Sequence, residues 1–227
     1  DETLVAKYTN RDPPGTVAVV GGGYVGVEMA EAFSAHDLEV HLFQRPDRLL
    51  PPFGEAAGER VADHLREQGV TLHLNTEVDR LDGETEVTAV HYEGGQVDAD
   101  LALVGIGIRP NTGLLDGTPV ELGESGAVAT DEYGRTSLEN VYAAGDVAEM
   151  PHTVTDEPTW NPLGLPANRA GRAVGSTVGG DPEPVGRVSG TAMVKAFDLE
   201  CGRTGLLDHD QAREAGFDPV SETITAG

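Results

Sequence analysis

The six residues Gly21-Gly22-Gly23-Tyr24-Val25-Gly26 carry the most specific chemistry in this 227-residue chain. In a Gly-x-Gly-x-x-Gly spacing, Gly21 permits a tight turn and Gly23 lets the backbone approach a diphosphate. Gly26 allows a helix to pack closely on a strand. A helix opening behind Val25 would add free N–H groups and a partial positive charge, which suit an anion. The alternative is a glycine turn with a structural role only. Gln44 stands where an acidic residue would accept hydrogen bonds from ribose hydroxyls and select NADH. A neutral Gln44 followed by Arg45 and Arg48 instead suits a 2′-phosphate, which guanidiniums bind well. This pattern favours NADPH over NADH. The alternative is that both arginines pair with Asp47 or surface carboxylates. Tyr24 and Glu28 are four apart and share a helix face. They suit an aromatic cover over a nicotinamide and a carboxylate for its amide or a nearby Lys. A packed Tyr and a solvent-facing Glu would give the same spacing.

The elements needed to place these groups are legible. Thr16 to Val20 is a β-branched apolar run of the kind found in buried parallel strands. Val25, Met29, Ala32 and Phe33 recur at helical spacing, and Leu38 to Phe43 reads as the next strand. That makes a β-α-β unit, the context that gives the glycine motif its meaning. A second helix is expected over Gly54 to Gln68, ended by Gly69, and a third strand over Val70 to Leu74. From Glu77 to Val104 the period changes to two. Segments at 78–81, 87–92 and 97–104, divided by Asp82-Gly83 and Gly94-Gly95, predict an antiparallel meander. Further on, short strands are expected at 127–130 and 141–144, flanking a turn at Asp131 to Gly134. A helix is expected over 167–178 with Pro166 at its first position. A strand at 191–197 and a short helix at 211–215 complete the pattern.

The composition sets limits. The formal charge is −24, from 39 Asp plus Glu against 15 Lys plus Arg. A nucleic acid must be met by clustered basic residues, so nucleic-acid partners are excluded, and an anionic membrane surface is disfavoured. No apolar run reaches the length that spans a bilayer, and the acidic start is wrong for a signal peptide. Only Lys7 and Lys195 are lysines. The acids are spread evenly, which reads as a hydrated surface adapted to high salt, where screening removes self-repulsion. The single cysteine, Cys201, excludes an intrachain disulfide framework and points to a cytoplasmic location. It reads as a small buried residue. The seven His show no metal-ligand spacing.

Thr16–Leu50 (TVAVVGGGYVGVEMAEAFSAHDLEVHLFQRPDRLL) resembles the NAD(P)H domain of the pyridine nucleotide–disulfide oxidoreductases. Leu103–Leu114 (LVGIGIRPNTGL) resembles that family's strand returning to its FAD domain, and Ala129–Glu149 (ATDEYGRTSLENVYAAGDVAE) its second FAD signature. Pro162–Arg172 (PLGLPANRAGR) and Gly190–Leu206 (GTAMVKAFDLECGRTGL) resemble one branch, the coenzyme A-disulfide reductases, NADH oxidases and NADH peroxidases. The resemblance implies an α/β fold with a Rossmann-like, three-layer β/β/α NAD(P)H-binding domain. It implies a linker at 1–15, the NAD(P)H domain at 16–117, the later half of an FAD domain at 118–184, and the start of a dimerisation domain at 185–227.

By the same resemblance Gly21, Gly23 and Gly26 bind the coenzyme diphosphate, with Gly22 and Val25 in the same loop. Tyr24 covers the nicotinamide site, Glu28 lies beside it, and Gly107 lines the pocket. Gly145 and Asp146 form the flavin ribityl site, and Ala167 and Asn168 open a helix facing the flavin pyrimidine edge. The family's own FAD glycine motif and its redox cysteine have no counterpart here, so no catalytic residue is assigned. The implied activity is hydride transfer from NAD(P)H to FAD and on to a disulfide, peroxide or oxygen, in a homodimer of the complete protein acting on a small-molecule substrate. This chain alone is expected to bind NAD(P)H, to hold FAD poorly and to be inactive. A stand-alone dinucleotide-sensing module is the alternative.

Overall fold

The computed structural model describes residues 15–224. The linker expected at 1–15 therefore lies, except for Gly15, outside the described residues. The chain divides into two compact units. Among the described residues, one holds those up to Gly107 together with Met193–Gly202, and the other holds Ile108–Ala192 and those from Arg203 onward.

The first unit is built on a parallel sheet. Strands β1 (Thr16–Val20), β2 (Glu39–Gln44) and β3 (Thr71–Leu74) lie side by side, and β7 (Leu101–Val104) flanks β1, giving the order β3-β2-β1-β7. Val17 pairs with Val40 on one side and Leu101 on the other. The register sorts side chains by parity, as the two-residue repeat of a strand requires. Val17, Val19, Val40 and Leu42 face helices α1 (Tyr24–Ser34) and α2 (Glu55–Glu67), where they pack with Val27, Ala30, Val61 and Leu65. Ala18 and Phe43 face the opposite layer and pack with Val90 and Ala99. That layer is an antiparallel meander of β4 (Val78–Asp82), β5 (Ala89–Tyr92) and β6 (Gly95–Asp98). The result is the expected three-layer β/β/α arrangement. Central strand β1 is buried on both faces, which is why its sequence shows no polar alternation.

The expected strand over 97–104 is two strands. The chain breaks at Ala99-Asp100, and its second half joins β1 instead of the meander. Asp100 explains the break. Its carboxylate accepts the N–H groups of Gly15 and Thr16 at 2.9 and 3.0 Å, seating β7 beside the start of β1. Helix α2 ends as expected. Gly69 has φ of 89°, Gly69 N–H donates to Arg66 and Val70 N–H to Leu65, a Schellman closure.

A hairpin of β10 (Ala192–Ala196) and β11 (Leu199–Arg203) follows late in the chain. Its residues 193–202 belong to the first unit, where Val194 and Ala196 join the helix-side core. Glu31 on α1 holds it, accepting Phe197 N–H at 2.9 Å and lying 4.0 Å from Lys195 Nζ.

The second unit is turn-rich. The strands expected at 127–130 and 141–144 are only single bridges, Leu122 to Val128, Val128 to Ala148 and Arg135 to Tyr142. Tight turns at both ends leave too few residues for a ladder. The turn at Asp131 is present, with its carboxylate accepting Tyr133 and Arg135 N–H. Two-residue strands β8 (Met150–Pro151) and β9 (Pro158–Thr159) pair, and α3 (Gly164–Val178) follows. Pro166 is the third residue of α3, not the first; it stays within the first turn, where a missing N–H costs nothing. Met150, Ala170, Ala173, Val185 and Val188 form this unit's core. Helix α4 (His209–Glu214) is capped by Asp208, whose carboxylate accepts Gln211 N–H at 2.9 Å. No helix among the described residues is long and apolar enough to cross a membrane.

Candidate functional site

Each unit holds one glycine-centred site. In the first unit, β1 ends at Val20 and the chain turns at Gly21, whose φ of 112° favours glycine. A Cβ there would overlap the carbonyl of Gly105, and a Cβ on Gly26 would overlap the carbonyl of Gly21. Both glycines are therefore required by close packing. Gly23 differs. It is the N-cap of α1, no side chain caps the helix, and a Cβ would meet nothing within 4 Å. Open space lies directly before the first N–H groups of a helix with no acid in its first turn. The field of the bare helix end favours an anion there.

The flanking residues fall into place unevenly. Tyr24 packs edge-on against Phe53, ring centroids 5.5 Å apart, an aromatic contact that sequence reasoning missed. Val25 is 55% exposed, Glu28 is exposed, and Gly107 is exposed with φ of 109°. Glu28 makes no ion pair among the described residues, and the lysine on the hairpin, Lys195, lies near Glu31 instead. Arg45 is exposed, and among the described residues the Arg48 side chain donates from its Nε to Asp47, at 3.0 Å. Gln44 is not open to a ligand. It is 8% exposed, and its amide is consumed internally: Oε1 accepts Gly22 N–H at 2.8 Å, and Nε2 donates to the Arg48 carbonyl at 3.1 Å.

In the second unit, Gly145 (φ 81°) opens a 3-10 turn that presents Asp146 to solvent. A Cβ on Gly145 would touch Ala167 Cβ at 3.7 Å, so the two sequence signatures meet here. Trp160, read from sequence only as part of a loop, donates its indole N–H to the Asp146 carbonyl at 2.8 Å. Helix α3 has no side-chain cap at its N-terminus. Asn168 is exposed, and its amide donates back to the Gly164 carbonyl at 2.8 Å, one turn earlier. An exposed carboxylate at a turn and an uncapped helix end suit a polyol and an electron-rich ring. Cys201, in the first unit, is half-buried against the helix-side core, and burial pushes its thiol up, the wrong direction for a redox thiolate. No cluster among the described residues could hold a metal.

Residues 3–159 match the family model described as pyridine nucleotide-disulphide oxidoreductase. The chain belongs to this family. An oxidoreductase of the family from Pyrococcus abyssi, the NAD(P)H sulfur oxidoreductase (CoA-dependent), is 38% identical over 226 residues, which is 100% of this chain and 50% of that protein. The chain thus spans about half the length of the curated relatives it matches. Among solved structures, the NAD-dependent persulfide reductase from A. fulgidus aligns with a TM-score of 0.82 at 34% identity, over 90% of this chain and 38% of that one. An engineered water-forming NADPH oxidase bound to NADPH aligns with a TM-score of 0.76 at 30% identity, over 85% of this chain and 43% of that one. Its substitutions include aspartate to alanine followed at the next position by alanine to arginine. Family members use FAD and NAD(P)H.

Proposed function

We propose that this chain is the NAD(P)H-binding portion of an FAD-dependent oxidoreductase that passes hydride from NAD(P)H to flavin and on to a small-molecule acceptor. The acceptor is a disulfide of the coenzyme A type, a peroxide or oxygen. The observation that carries this reading is the open space at Gly23 in front of the uncapped helix α1, built by glycines that packing requires at 21 and 26. Gly21 to Gly26 would hold the diphosphate. Tyr24, Glu28 and Gly107 would surround the nicotinamide end, and Arg45 and Arg48 the 2′-phosphate. Gly145, Asp146, Ala167 and Asn168 would hold part of the flavin, Asp146 through its exposed carboxylate and Asn168 by closing the first turn of α3. When bound, FAD accepts a hydride and releases electrons to the acceptor.

NADPH is the favoured coenzyme. Arg45 and the outer nitrogens of Arg48 form no ion pair among the described residues, and no carboxylate stands at position 44 to receive a ribose diol. A neutral residue followed by arginine is also the pair introduced into the engineered NADPH oxidase. Titrating the 227-residue chain with NADPH and NADH by nicotinamide fluorescence tests this. Tighter NADPH binding that Arg45→Gln abolishes supports it; equal or tighter NADH binding overturns it.

FAD is held weakly by this chain alone and more firmly in a longer, homodimeric, cytoplasmic protein. The even spread of acids supports a surface adapted to high salt. One observation favours the second reading, a dinucleotide-sensing module: the half-buried Cys201 with its raised thiol offers no redox centre. Anaerobic NADPH added to the longer, FAD-loaded protein separates the two. Bleaching of the flavin supports the enzyme reading, and coenzyme binding without bleaching supports the module.

A further inference from the structure

The two loops that would grip the two ends of the coenzyme's adenylate half are sewn together at a single residue. Gly22 gives its N–H to Gln44 Oε1 at 2.8 Å, and its carbonyl accepts Leu50 N–H at 2.9 Å. The other end of the Gln44 amide reaches the Arg48 carbonyl at 3.1 Å. From below, Asn75 and Thr76 N–H groups hold the Pro46 and Gln44 carbonyls, each at 3.0 Å. Leu49 and Leu50 are fully buried, and a Cβ on Gly22 would overlap the Leu49 side chain. The glycine loop and the arginine loop are therefore one body, and the Gln44 amide is the bridge between them. An amide suits this place because it offers one acceptor and one donor. A carboxylate could serve Gly22 but would oppose the Arg48 carbonyl oxygen.

We infer that Gln44 is a positioning residue for coenzyme binding. It never touches the coenzyme; it fixes the Gly22 peptide beside the diphosphate and the Arg48 backbone beside the 2′-phosphate. The inference rests on the NAD(P)H reading of this site. It changes what position 44 does, from lack of repulsion to active bracing of both loops.

The test compares wild type, Gln44→Met and Arg45→Gln in the 227-residue chain, reading NADH and NADPH affinity together with amide exchange at Gly22. Loss of a buried hydrogen-bonded bridge predicts that Gln44→Met weakens both coenzymes about tenfold and speeds Gly22 exchange. Arg45→Gln weakens NADPH alone. Should Gln44→Met fail to fold, Gln44→Glu serves, because it keeps the Gly22 bond and loses only the Arg48 bond. It is expected to hold NADH as wild type does and to loosen NADPH. Unchanged NADH affinity and unchanged Gly22 exchange in Gln44→Met, or equal loss of both coenzymes in Gln44→Glu, overturn the bracing role. The two readings fail separately. A wild type that prefers NADH, with Gln44→Met weakening both coenzymes, removes the NADPH preference and keeps the brace. A wild type that prefers NADPH, with Gln44→Met unchanged, removes the brace alone.

Discussion

Gly26 and Gly21 meet without room for a single extra carbon, since a Cβ on Gly26 would overlap the Gly21 carbonyl oxygen. Helix α1 can lie this close to the end of β1 only because the contact residue has no side chain. Gly26→Ala must push the helix away from the turn. It is expected to lower stability by about 1–3 kcal/mol, the usual scale of overpacking, and to weaken NAD(P)H binding. A melt and a coenzyme titration on the same sample check this. An alanine variant with wild-type melting and affinity would contradict the packing.

Glu31 joins helix α1 to the β10–β11 hairpin through Phe197 N–H and Lys195. Glu31→Ala leaves a half-buried N–H without its acceptor, at a cost of about 1–2 kcal/mol. Urea unfolding should show that loss, while NAD(P)H affinity stays unchanged because Glu31 faces the hairpin and not the glycine loop.

Asp146 and Trp160 are expected to act together in flavin binding. Trp160 fixes the Asp146 main chain, and the carboxylate stays exposed. Asp146→Ala should weaken FAD binding about tenfold and Trp160→Phe about fivefold, the scale of one charged and one neutral hydrogen bond. In the double variant the losses should not add, because Trp160 works through Asp146. Flavin fluorescence titration reads all three, and fully additive losses would show independent roles.

Two histidines make stability depend on pH. Burial, and then the neighbouring His41, hold His73 below its ordinary value of 6.5. Burial, and then Arg203, do the same for His152. The folded state therefore favours the neutral rings, while the unfolded chain binds protons near pH 6.5. Their contribution is fully present above 6.5 and is lost as pH falls toward the lower folded values. His152 Nδ1 accepts Val154 N–H at 3.3 Å, and His73 stacks on Phe43 at 4.3 Å. A variant carrying His152→Asn and His73→Phe keeps an acceptor at 152 and a ring at 73, removes titration at both, and gives up the 3.0 Å His41–His73 hydrogen bond, so the comparison is of pH dependence and not of absolute stability. Its melting temperature should fall less than that of wild type between pH 7.5 and 5.5 (values chosen about one unit either side of 6.5). Parallel losses would remove these two groups from the account.

The parts legible in the sequence share one property: each depends on neighbours close along the chain. The glycine spacing at 21, 23 and 26, the buried run of β1 and the stop at Gly69 follow from local conformational preference and side-chain periodicity. The break at Ala99-Asp100 was not legible, because it depends on a carboxylate clamping Gly15 and Thr16 from a strand 84 and 85 residues away. The bridges around Val128 were not legible either, since an apolar triplet cannot show how short its ladder will be.

Gln44 divides the two kinds of knowledge most clearly. The amino-acid sequence by itself determined that no carboxylate stands at the end of β2 and that two arginines follow. Those are matters of residue type and order. Only the tertiary structure decided that the amide faces inward, with both ends bonded to loops that are 22 residues and 4 residues away. The physical reason is burial. Once Leu49 and Leu50 are drawn into the core, the polar groups around Gly22 lose water and must find partners, and Gln44 is the side chain placed to supply them.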